Sequence, residues 1–131
     1  MPHPVTDQLT TRLESLFGRP RAELAAIAST ERPNMLATLL DALADVELAE
    51  KNIEFQRERL LQLADPARDI GPAAAGHFQD CSRRIAESVA TRDTKGHFAS
   101  AVMQSLHRAP APAATPVAPT PAPAAATTRT R

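Results

Sequence analysis

The sequence predicts an all-α protein: a small helical bundle built on a long helical hairpin, with two short N-terminal helices and a disordered C-terminal tail. Three observations carry this prediction. Apolar residues recur in three- and four-residue steps through most of residues 1–108, the spacing that lines one helix face. Aromatic residues are only 3% of the chain, all of them Phe, so a core must be built from Leu, Ile, Val, Met and Ala. Those side chains suit helix-on-helix packing better than a sheet, which favours β-branched and aromatic residues. Thirdly, the long segment from Asn34 to Ala64 contains neither Gly nor Pro.

The first periodic segment sets Val5, Leu9, Leu13, Leu16 and Phe17 on one face of a short helix. Thr6 is the expected N-cap and Gly18 the C-terminal stop. Pro20 suits the first turn of a second short helix, where its missing N–H would be unpaired anyway. That helix turns Leu24, Ile27 and Ala28 inward and is expected to end near Ser29. Thr30 is the expected cap of the third element, with Pro33 in its first turn. A helix of roughly 30 residues, ~45 Å long, follows. Leu36, Leu39, Leu43, Val46, Ile53 and Leu60 form a seam on it of the kind found in bundles and coiled coils, interrupted by Glu50 and Arg57.

Asp65-Pro66 and Asp69-Ile70-Gly71-Pro72 read as a turn-rich connection, with Pro72 opening the next helix. Ala74, Phe78, Cys81, Ile85 and Val89 then share a stripe to about Thr91. Asp93-Thr94-Lys95-Gly96 reads as a break or kink before Phe98, Ala101, Val102 and Leu106 resume the apolar face. From Ala109 onward the composition turns to Ala, Pro and Thr, with prolines at 110, 112, 116, 119, 121 and 123. Such a segment buries too little apolar surface to offset its ordering entropy. The expected organisation is a helical domain over 1–108 and a disordered tail over 109–131.

Fifteen basic and fifteen acidic residues cancel, so no net field draws the chain to nucleic acid or anionic lipid. The charge is unevenly placed: residues 35–65 are predominantly acidic and residues 66–108 predominantly basic. Cys81 is the only cysteine, which excludes an intrachain disulfide. Neither a signal-peptide pattern nor an apolar run of membrane-spanning length is present, so the expected location is the cytoplasm, away from membranes.

No catalytic, cofactor-binding or metal-binding constellation emerges. Glu47, Glu50, Glu54 and Glu58 run along one side of the long helix. A di-iron bundle would add Glu-x-x-His motifs on facing helices, and no His lies between His3 and His77. The acidic row is read as a solvated face with Glu47–Lys51 and Glu54–Arg57 pairs. His77 and Cys81 are one turn apart, but a structural zinc site wants four such ligands, and Cys81 lies on the apolar stripe. Glycine-loop and nucleophile-elbow motifs are absent, so the expectation is a non-enzyme with no small-molecule substrate.

The remaining signals concern macromolecular partners. Residues 21–41 have the cadence of a DNA-binding helix-turn-helix, with Glu31, Arg32 and Asn34 opening the second helix. Residues 1–34 carry four basic and four acidic side chains, so the phosphate-neutralising footprint is missing. Leu48 and Phe55 lie two turns apart, off the main seam, and begin an apolar strip. The favoured expectation is a protein–protein interaction module, a scaffold or accessory subunit that self-associates. Val46, Leu48, Glu50, Ile53, Phe55, Arg57 and Leu60 are its candidate contact residues. Two long helices crossing antiparallel near Ile53 would pair Glu50 of each copy with Arg57 of the other, as an isologous homodimer contact does. Satisfaction of Glu50 within the monomer, by Arg83 or Arg84, is the simpler alternative.

Overall fold

The computed structural model describes residues 3–30 and 34–108. They form α1 (Pro4–Phe17), α2 (Arg21–Thr30), α3 (Met35–Leu63) and α4 (Pro72–Arg108), with no strand among the described residues. The expected long helical hairpin with two short N-terminal helices is present. The tail expected over 109–131 lies outside the described residues.

α1 starts earlier than its sequence suggests. Pro4 occupies its first turn and His3 is the N-cap, with no side-chain capping bond of its own; Thr6 is inside the helix. Gly18 ends α1 as expected, in the left-handed region at φ 67°, its N–H donating to Glu14 O at 2.8 Å. A Cβ would be disfavoured at that angle. α2 runs through Thr30, and Asn34, not Thr30, caps α3: its extended backbone lets Oδ1 accept from the Ala37 N–H at 2.9 Å.

α3 and α4 lie antiparallel and make the hairpin. On α3 a stripe of Leu39, Ala42, Val46, Ala49, Ile53, Gln56, Leu60 and Leu63 runs in alternating three- and four-residue steps, and Leu43 and Glu50 are buried beside it. Small side chains at Ala42, Ala49 and, on α4, Ser88 and Ala99 let the two helices approach closely. The connection is tightened by Asp65, whose Oδ1 accepts from Ala67 N–H and whose carbonyl accepts from Arg68 N–H, both at 2.9 Å.

α4 is one helix of 37 residues, ~55 Å long, and the break expected at Asp93–Gly96 does not occur. Gly96 is buried under α1, where a Cβ would sit 3.5 Å from Val5 Cγ1. Packing at this position outweighs the helix propensity lost at glycine, about 1 kcal/mol. Because the helix continues, its inward face past residue 93 is Gly96, Ala99 and Met103, while Phe98, Ala101 and Leu106 are exposed.

α1 lies in the groove between α3 and α4, and α2 packs on α3 beside it. The main core is consequently confined to one half of the hairpin: Leu9, Leu13, Leu24, Leu39, Leu43, Val46, Ala99 and Met103, with Val5, Leu16, Leu36 and Leu40 around them. Large side chains buried this well contribute about 1.5–3 kcal/mol each. The half of the hairpin beyond α1, out to the 64–71 turn, is two helices thick.

Candidate interaction surface

The boundary between the two halves is set by Glu50. Its carboxylate, 6% exposed, points from α3 at the start of α1, and Oε1 accepts the N–H groups of Val5 at 2.8 Å and Thr6 at 3.2 Å. These are amides that a helix cannot satisfy internally, and a negative group there also complements the helix dipole. A side chain more than forty residues away in sequence thus supplies the cap that His3 does not. His3 stands between two carboxylates, Nδ1 3.6 Å from Glu50 Oε2 and Nε2 3.8 Å from Glu54 Oε2. Glu50 Oε2 itself is buried and has no hydrogen-bond donor among the described residues.

Glu50 is satisfied within the monomer, as the simpler alternative expects, but by the Val5 and Thr6 amides and not by Arg83 or Arg84. Arg83 and Arg84 are exposed, and Arg83 pairs along its own helix with Asp80 and Glu87. Arg57 is exposed as well, with no ion pair among the described residues, and the expected Glu54–Arg57 pair is replaced by Glu54 facing His3. Gln56, unremarked in the sequence, takes the buried place on the seam beside it. Val46 is wholly enclosed by the monomer and Glu50 is committed to α1. A crossing of two α3 helices with reciprocal Glu50–Arg57 pairs is therefore closed to this conformation.

The acidic row on α3 divides by environment. Glu47 is gripped by Lys51 at 2.9 Å and by Arg21 of α2 at 3.0 Å, which fastens α2 to the hairpin. The Lys51 hydrogen bond, with Arg21 adding to it against the cost of burial, holds the Glu47 carboxyl below its ordinary range. Glu54 and Glu58 instead border an open groove of about 340 Å³ immediately beyond the start of α1. Pro4, Ile53 and Leu61 are the apolar residues of its lining, and Arg57 and Arg92 border it with the carboxylates.

The other edge of the hairpin carries Leu48 and Phe55, exposed by 65% and 62%. Leu48 borders a shallow depression with Asn52 and Ser88, close to a surface ion pair between Asp45 and Lys95 at 3.1 Å. Of the candidate contact residues, Ile53, Arg57 and the half-buried Leu60 belong to the open half, Leu48 and Phe55 to the opposite edge, and Val46 and Glu50 to the interior.

The residues weighed for other chemistry are dispersed. Asn34 caps α3, and the next turns of that helix bury Leu39 and partly bury Leu36 and Leu40, leaving little of it to enter a groove of DNA. Glu31 and Arg32 lie outside the described residues. His77 is exposed while Cys81 is buried, and no cluster of three potential metal ligands occurs among the described residues. No described helix is long and apolar enough to cross a membrane. Comparison with protein-family models, curated proteins and solved structures finds no match to this chain.

Proposed function

We propose that this chain is a non-enzymatic protein–protein interaction module, a helical scaffold or accessory subunit that works as a homodimer. One observation carries the reading: the hairpin outruns the helices that cover it. α1 and α2 complete a bundle over one half, and the other half leaves Ile53, Leu60, Phe78, Ile85 and Val89 only partly buried, with Leu61 and Ile70 exposed. Two helices alone cannot enclose a stripe of apolar side chains, and a contiguous apolar surface rimmed by charge marks association sites. Further helices from another chain would supply the missing side.

Sedimentation velocity and light scattering over the micromolar to millimolar range test the proposal. A reversible monomer–dimer equilibrium is the expected result. A monomer at every concentration refutes self-association.

A further inference from the structure

α4 ends where the residues after it no longer favour a helix. Pro110 disfavours helical backbone at Ala109, and Pro112 does so at Ala111, so the sequence favours an extended chain just past Arg108. A groove of about 480 Å³ lies one turn short of that point. Thr11, Arg12, Ser15 and Leu16 line it from α1, and Met103 and Gln104 line it from α4. Gln104 stands four residues before the end of α4, ~6 Å along the axis.

The chemistry of this lining is one-sided. Among the described residues it holds no carboxylate, whereas Glu50, Glu54 and Glu58 line the groove at the start of α1, and Asp45 and Glu87 the depression beside Leu48. Leu16 and Met103 are its apolar residues, and the others can donate hydrogen bonds. Ser15 and Gln104 are exposed, and their side chains make no hydrogen bond among the described residues. Arg12 donates through Nη1 to Ser100 Oγ at 2.8 Å, which leaves the rest of its guanidinium N–H groups. Such a set suits a segment rich in carbonyl acceptors and apolar carbon but poor in N–H donors, and closely spaced prolines provide that.

We infer that the segment following α4, residues 109–116, turns back and docks in the groove between α1 and α4 of its own chain. Its carbonyls accept from Arg12, Ser15 and Gln104, and its proline rings cover Leu16 and Met103. The hydrogen bond to Ser100 sets Arg12 at the level of that residue. From Arg108 back to Ser100 is ~12 Å along α4, a distance that about four residues of polyproline-type chain span at ~3.1 Å each. The remainder of the segment makes the turn. Pro110, Pro112 and Pro116 have no N–H to leave unpaired and little backbone freedom to lose. The short tether makes docking intramolecular, at an effective concentration of about millimolar, so contacts too weak to hold separate molecules suffice. The inference goes beyond the homodimer reading, because it uses neither the open half of the hairpin nor a second copy.

Replacing residues 109–116 by alternating Gly and Ser keeps the chain length and adds no charge near the end of α4. In the full chain this should lower the thermal midpoint by about 3–6 °C. It should also shift the NMR amide signals of residues 11–16 and 103–104 while leaving those of residues 60–81 in place. The same replacement over residues 119–126 should change neither. Ser15→Asp and Gln104→Glu turn exposed donors into groups that only accept. Together they should lower the midpoint of the natural chain clearly more than that of the chain with 109–116 replaced, because in the latter nothing is left to undock. An unchanged midpoint with unmoved amides after replacing 109–116 would overturn the inference, and so would equal effects of Ser15→Asp/Gln104→Glu in the two backgrounds. Effects that appear only as protein concentration rises would place the segment in the groove of another copy and overturn docking within the chain.

Discussion

Replacing Glu50 by Ala tests how the N-terminal helix is held. The substitution strips a charged acceptor from two backbone donors, Val5 and Thr6, one of which is on a residue only 5% exposed. Hydrogen bonds to charged groups contribute about 1.5–3 kcal/mol each, and loss of a helix cap costs about 0.5–2 kcal/mol. Removing a buried carboxylate whose second oxygen has no donor among the described residues returns part of that. The net expectation is a loss of about 2–4 kcal/mol, a large part of the ~5–15 kcal/mol that holds a domain together. For a domain of this size the thermal midpoint should fall by about 10–20 °C. Glu50→Gln keeps an acceptor but not its charge and should lose about half as much. Urea titration gives the free energies, and amide hydrogen exchange localises them. Protection of the Val5 and Thr6 amides should collapse in Glu50→Ala while the Leu39–Val46 segment of α3 stays protected. A loss below ~1 kcal/mol, or protection lost evenly along the chain, would refute the idea that this carboxylate caps α1.

Continuity of α4 makes both of its glycines suboptimal: Gly76→Ala, with open space around a Cβ, should stabilise by about 0.8 kcal/mol, and Gly96→Ala, in ordinary contact with Val5, by somewhat less. Destabilisation at Gly96 on urea titration would mean the helix breaks there. Glu47, depressed by Lys51 and Arg21, contributes stability that is present at neutral pH and lost as pH falls below about 4.5. Glu47→Gln should therefore be less stable than wild type at pH 7 and converge with it as the pH falls well below 4.5, as followed by thermal melts. An unchanged gap across that range would count against the ion pairs. The buried thiol of Cys81 should react with an alkylating reagent only through opening of the hairpin, at a rate that rises with denaturant. Labelling as fast as in the unfolded chain would show that the two-helix half is not closed.

Much of the architecture is legible in the residue order because helix periodicity is local. Leu9 and Leu13 on α1, Leu24 on α2, and Leu39, Leu43 and Val46 on α3 are placed inward by spacing alone, and all are buried. Gly18 and Pro72 mark boundaries for equally local reasons, a left-handed angle and a missing N–H. Where local rules compete with packing they mislead. Asp93–Gly96 has the composition of a break, yet α1 lies across it and the helix runs on, which rotates Phe98 and Leu106 outward and Ala99 and Met103 inward. Thr6 looks like a cap, yet the helix begins before it because the capping oxygen comes from elsewhere.

Sequence alone determined the helical class, the hairpin and the apolar faces of α1 to α3, since each depends on neighbours three or four positions apart. Only the tertiary structure decided what the charged residues on those faces do. Glu50 and Arg57 look equivalent as interruptions of one seam, but 6% exposure and two backbone donors make the first a cap, while the second is left bordering a groove. The reason is physical: periodicity sets the direction in which a side chain points, and its electrostatic partner is whatever another segment brings there. The extent of cover has the same origin. Spacing gives α1 and α3 their faces, but where α1 lies along α3, and so which half of the hairpin stays open, depends on a contact between Glu50 and the chain at Val5, forty-five positions apart.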